Sequence, residues 1–249
     1  MTSQTASKVP EVTLLFWVIK IAATTLGEIG GDAVSMSMHL GYLVATCIFA
    51  AVFLAAVGAQ IAAPRFNRFI YWLAIIATTT VGTTLADFAD RSLGIGYPGG
   101  ASLLFILLIA SLAVWYRSTG SVAIETVSTP RTEAFYWVTI MFSQTLGTAL
   151  GDWTADTAGL GYAGGALVFG LALAMVALAY FRTRISRTAL FWVAFILTRP
   201  LGAVLGDLLD KPVAAGGLDL SRYSASAALL LFILACLLLF RQRAASSGH

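Results

Sequence analysis

Apolar residues run in eight long stretches, near 12–34, 40–59, 69–89, 99–116, 134–154, 163–181, 189–209 and 225–240. A helix needs about 20 apolar residues to cross the hydrocarbon core of a bilayer, so this pattern predicts eight spanning helices. The stretches 99–116 and 225–240 are the shortest and need flanking residues to reach across. The polar exceptions inside the stretches follow a rule. Every odd-numbered stretch carries one phrase: a tryptophan, nine residues, a glycine, four residues, an aspartate. It reads Trp17–Gly27–Asp32, Trp72–Gly82–Asp87, Trp137–Gly147–Asp152 and Trp192–Gly202–Asp207. The copies start 55, 65 and 55 residues apart, so the first half recurs as the second at an offset of 120. Such a period is the mark of a repeat architecture, in which each unit buries its surface against its neighbours.

Each unit reads as a helical hairpin: a phrase-bearing helix, a short loop and a plainer returning helix. The units cover approximately 10–62, 66–117, 131–182 and 186–241, and together they form a single transmembrane domain over 1–249. The segment 117–133, rich in Ser, Thr, Pro and Gly, reads as the linker between the two halves. Because every unit holds two spans, all four enter from the same side, and the repeats are parallel rather than inverted. Four aspartates then lie at one depth, about 22 Å along the helix from the tryptophans at 1.5 Å per residue. Tryptophan is enriched at membrane interfaces, and the four are expected to anchor the helices there.

Turned at the helical period, the unusual residues of each odd stretch gather on one face. In the first copy they are Lys20, Thr24, Gly27, Glu28, Gly31 and Asp32; in the fourth, Phe195, Arg199, Gly202, Ala203, Gly206 and Asp207. Small residues four apart let helices approach closely in lipid, so the acids on the same face are expected to point into the bundle. The fourth copy departs from the others in Arg199, in Pro200 within the helix, and in a longer loop beginning Lys211-Pro212.

Composition agrees: the chain is 59% apolar and 11% charged, against roughly 25% charged residues in soluble domains. Charge adds an orientation. Lys8, Arg65, Arg68, Arg117, Arg131, Arg182, Arg184, Arg187, Arg241 and Arg243 fall on the side of the termini, and only Arg91, Lys211 and Arg222 on the other. That bias places both termini in the cytoplasm and accounts for the net charge of +3 without a nucleic-acid partner. The polar opening and the charges of the first stretch do not fit a cleaved signal peptide. Cys47 and Cys236 sit in apolar runs without metal-ligand spacing and read as small buried residues. His39 lies in a loop seven residues after Asp32 and reads as solvated, with a ligand role as the alternative; His249 is terminal.

An acid inside a spanning helix is costly and marks function. Asp32, Asp87, Asp152 and Asp207, with Glu28 one turn before Asp32, offer hard oxygen ligands suited to manganese, magnesium or calcium; protonated, they would instead relay protons. Further acids, Asp90, Asp156 and Asp210, follow the phrase by three or four residues. Lys20 and Arg199 lie deeper on the same face, as counter-ions or a gate, and an Arg199–Glu28 pair is expected. The expectation is a cation transporter whose carboxylate ring is the ion or proton path, with the lipid bilayer and an inorganic cation or proton as partners. A carrier of small polar solutes and a structural or sensory membrane scaffold are the alternatives. No HExxH, GxSxG or serine–histidine pairing points to an enzyme.

The quartet TLGEIGGD, TVGTTLAD, TLGTALGD and PLGAVLGD, with the opening KVPEVTLLFWVIKIAATT, resembles a bacterial membrane-protein family built of a four-times-repeated hairpin of unknown function, also described as "uncharacterised membrane-anchored protein". The resemblance extends from about Lys8 to Arg241. It implies an inner-membrane protein of four hairpins and implies no activity. A looser similarity links the repeated acids to cation exporters with Glu–Gly–Asp motifs.

Overall fold

A computed structural model describes residues 7–246; His249 lies outside them. Among the described residues there are eight α-helices: α1 (Leu14–Asp32), α2 (Gly41–Ala62), α3 (Arg68–Asp87), α4 (Tyr97–Thr119), α5 (Pro130–Asp152), α6 (Gly161–Arg182), α7 (Arg187–Asp210) and α8 (Arg222–Leu239). Each odd helix starts on a side-chain cap. Thr13, Asn67, Thr129 and Ser186 accept hydrogen bonds from the free N–H groups of the first turn, the groups that have no partner inside the helix. After the repeat aspartate, α1, α3 and α5 each widen into one π-helical turn, Ala33–Ser37, Phe88–Ser92 and Trp153–Thr157. The fourth copy has no such turn: α7 runs through Pro200 and Asp207 as α-helix to Asp210.

The odd helices form the inside. α1 packs on α3, α3 on α5, α5 on α7 and α7 back on α1, closing a ring. The phrase glycines make this possible. A Cβ on Gly27 would strike the Thr79 side chain, one on Gly82 would lie 2.9 Å from the Gln144 backbone, one on Gly147 would strike Arg199, and one on Gly202 Thr24. Thr24, Thr79, Gln144 and Arg199 each stand three residues before their own phrase glycine. Every helix thus receives the same position of the next one, and the ring has pseudo-fourfold symmetry with all odd helices running the same way.

The even helices lie outside, with a correction to the hairpin picture. α2 packs on α3, α4 on α5, α6 on α7, and α8 on α1. Each returning helix covers the odd helix of the following unit, so the units interlock and α8 completes the circle. Outward faces are apolar: Leu167, Leu171, Met175 and Leu178 form one exposed stripe on α6.

Among the described residues, seven helices are long and apolar enough to cross a membrane. The predicted fifth span, α5, is long enough but too polar to be counted with them. Its Thr132, Glu133, Ser143, Gln144, Thr148 and Asp152 are buried against the neighbouring helices, so protein rather than surrounding solvent receives its polar groups.

At the end of the ring opposite the aspartates, aromatic side chains form a plug. Trp72, Trp137 and Trp192 are buried there rather than set as surface anchors. Trp192 Nε1 donates to Val122 O at 2.9 Å and Trp72 Nε1 to Gln242 Oε1 at 2.8 Å. The Tyr71 and Tyr136 hydroxyls meet at 2.6 Å. Residues beside both termini cross this end: Pro10 bridges Ala244, and Lys8 pairs with Glu133 at 2.7 Å. Lys8, predicted as a free topological charge, is buried.

Candidate functional site

Six layers stack along the ring: the first five lie one helical turn apart, because their residues are four apart on every odd helix, and the sixth lies just beyond the helix ends. From the plug they are Phe16/Tyr71/Tyr136/Phe191, Lys20/Ile75/Ile140/Phe195, Thr24/Thr79/Gln144/Arg199, Glu28/Thr83/Thr148/Ala203, Asp32/Asp87/Asp152/Asp207, and Met36/Arg91/Asp156/Lys211. The fifth layer holds the four repeat acids, all buried.

Arg199 reaches up from the third layer into the place that Ala203 leaves empty. Its Nη2 lies 2.8 Å from Glu28 Oε2, 2.6 Å from Thr83 Oγ1 and 2.5 Å from Thr148 Oγ1. The expected pair is present, and both partners are buried. Lys20, read as a counter-ion or part of a gate, pairs with no carboxylate among the described residues. Its ammonium sits 4.1 Å from the centre of the Phe195 ring and 3.5 Å from Gln144 Oε1. Glu28, the acid nearest above it, lies two layers up and is already occupied by Arg199 from the layer between.

Lys20 and Arg199 are not the only cations near the acids. Arg91 Nε pairs with Asp87 at 2.7 Å and its Nη2 approaches Asp152 at 3.5 Å. Lys211 Nζ bonds Asp32 and lies 3.1 Å from Asp207. Arg222 grips Asp210 at 2.5 Å and approaches Asp32 at 3.7 Å. All three had been read as loop charges of the far side. Two of them carried a local signal: Arg91 and Lys211 each stand four residues after a repeat aspartate, the spacing at which helical side chains meet. Burial works to lower the pKa of the Lys211 ammonium, but the carboxylates of Asp207, Asp32 and Asp210 outweigh it and hold it above the ordinary lysine value.

Two groups of three carboxylates bring oxygens within 4.8 Å of one another: Glu28, Asp152 and Asp207, and Asp32, Asp207 and Asp210. Four of the five expected ligands fall in these groups. Asp87 falls in neither and is held by Arg91 instead. Asp210 joins, while Asp90 is only half-buried and Asp156 is exposed. His39 is exposed and stands outside both groups. Counting the acids of both groups together with Asp87, six carboxyl groups share four cations, Arg91, Arg199, Lys211 and Arg222, a formal excess of two negative charges when all six are ionised.

A closed ring of four repeated helices, interlocked by four outer ones and acidic at one end, defines a fourfold helical-repeat protein. The chain belongs to the family described as Repeat of Unknown Function (DUF347), whose unit matches residues 15–66, 70–121, 135–186 and 190–244. No curated protein and no solved structure matches it.

Proposed function

We propose that this chain is a multi-pass protein of the bacterial inner membrane, with both termini in the cytoplasm, that transports a cation or a proton through its carboxylate ring. The observation that carries this reading is the excess of two buried negative charges in the ring. Uncompensated carboxylates are unstable in a low dielectric unless they bind a cation or a proton. The insertion part rests on the apolar outward faces of the even helices. In water such stripes would drive aggregation, while lipid satisfies them. The bias of basic residues toward the plug end supports the orientation.

A structural scaffold is the second reading. It is favoured by the close glycine packing below the ring and by the cation beside each repeat acid. One experiment separates the two. The purified protein is reconstituted into liposomes and challenged with manganese, magnesium, calcium, sodium and potassium, with a pH dye inside. Transport predicts flux of a particular cation or of protons, abolished by Asp32→Asn and by Asp152→Asn while the protein stays folded. Asparagine keeps the shape of aspartate and cannot supply its charge. No flux of any ion leaves only the scaffold, and full flux in both variants takes the aspartates out of the ion path and leaves them a packing role.

A further inference from the structure

The fourth repeat breaks the symmetry of the ring, and the break converges on one spot. Lys211 ends the layer above Asp207, and its ammonium bonds Asp32 across the ring while lying 3.1 Å from Asp207 Oδ1. Asp210, one turn along α7, completes the group with oxygens within 4.8 Å of those two. Its Oδ1 is buried and accepts no hydrogen bond. A small positive group is therefore seated among three carboxylates that retain an unused ligand atom.

We infer that Asp32, Asp207 and Asp210 form the seat of a hard divalent cation, and that the Lys211 ammonium is its tethered stand-in, which an arriving ion displaces. This rests on the reading that the ring takes up a cation. Charge selects the valence. With the ammonium withdrawn, only Arg222 remains against the three carboxylates, leaving two negative charges. Carboxylate oxygens alone select magnesium, manganese or calcium over softer metals, with water completing the coordination.

The local build allows the side chain to leave while its backbone stays. Lys211 N donates to Asp207 O at 3.0 Å, and Lys211 O accepts from Asp219 N at 2.9 Å. Gly217 presses on the same backbone so closely that a Cβ there would strike it. The long flexible stem is free to swing toward the open end, where the side chain is already 12% exposed. The other half of the ring lacks this arrangement. Arg91 bridges Asp87 and Asp152 with a planar guanidinium, and among the described residues no third carboxylate joins that pair.

The test uses the full chain in detergent with Mn2+ as the probe. Lys211→Met should bind Mn2+ at least tenfold more tightly than the wild type, and adding Asp32→Asn should remove the gain. On the unaltered protein, Mn2+ should increase modification of Lys211 by an amine-reactive reagent, because the displaced ammonium moves into solvent. Equal or weaker Mn2+ binding by a folded Lys211→Met variant overturns the stand-in role and leaves the cation reading intact. So does Lys211 labelling that stays flat or falls as Mn2+ binds to the wild type. Failure of both proteins to bind Mn2+, Mg2+ or Ca2+ overturns the seat, and the transport reading then stands or falls on the flux of monovalent cations or protons in liposomes.

Discussion

The Arg199–Glu28 pair is the residue-scale feature that holds the two ends of the chain together. Residue 28 belongs to the first repeat and residue 199 to the fourth, and both side chains are buried at the ring axis. In such a place the pair itself is close to neutral, but removing one partner strands a charge and costs about 3–5 kcal/mol. Glu28→Gln and Arg199→Gln should therefore each lower the thermal unfolding temperature in detergent by similar amounts. The double variant should be no worse than the worse single one, because neither charge is then left alone. Fully additive losses would contradict the pairing. The vacancy at Ala203 made this contact legible from the sequence: only one repeat lacks a polar side chain in that layer, and the arginine lies one turn below it. Lys20 has no such vacancy beside it, and its sequence position cannot reveal that Phe195 and Gln144 stand next to its ammonium.

At the scale of elements, the interlocking of units is the main departure from the hairpin reading. A short loop fixes the order of two helices and does not force them to pack along their lengths. The widened π-turns at the ends of α1, α3 and α5 stand where the chain leaves the ring toward its next helix. One contact gives a direct check, since Ser111 Oγ of α4 lies 3.1 Å from Thr139 Oγ1 of α5, across the boundary between units two and three. With Cys47 and Cys236 replaced by alanine, Ser111→Cys/Thr139→Cys should form a disulfide on mild oxidation. Proteolytic cleavage of the linker would then leave the two halves joined on a non-reducing gel. Separation of the halves under those conditions would mean that α4 does not cover α5.

For the whole molecule, the distribution of charge and apolar surface decides how the ring sits in its surroundings. The plug end carries the termini, the central linker and most of the basic residues, and the acid ring with Arg91, Lys211 and Arg222 lies at the other. In the proposed orientation, a cysteine at Glu125 in the linker should resist an impermeant thiol reagent added outside intact cells. A cysteine at Ala214, in the loop after α7, should react. Both positions are exposed, so burial does not explain a difference, and the reverse pattern would invert the topology.

The sequence by itself determined the repeat, its register, the eight helical stretches and the face on which the acids lie. These follow from local rules: apolar length and a helical period that places residues four apart on one stripe. Glycine and threonine at fixed offsets from each aspartate implied close packing, and the ring shows it at each phrase glycine. Only the tertiary structure decided which outer helix covers which inner one, that Trp72, Trp137 and Trp192 turn inward to form a plug, and which cation meets which acid. Attraction between charges depends on distance and dielectric, and both are set by helices remote in sequence. Asp32 and Lys211 stand 179 residues apart, and nothing local to either one records that closing the ring brings them together.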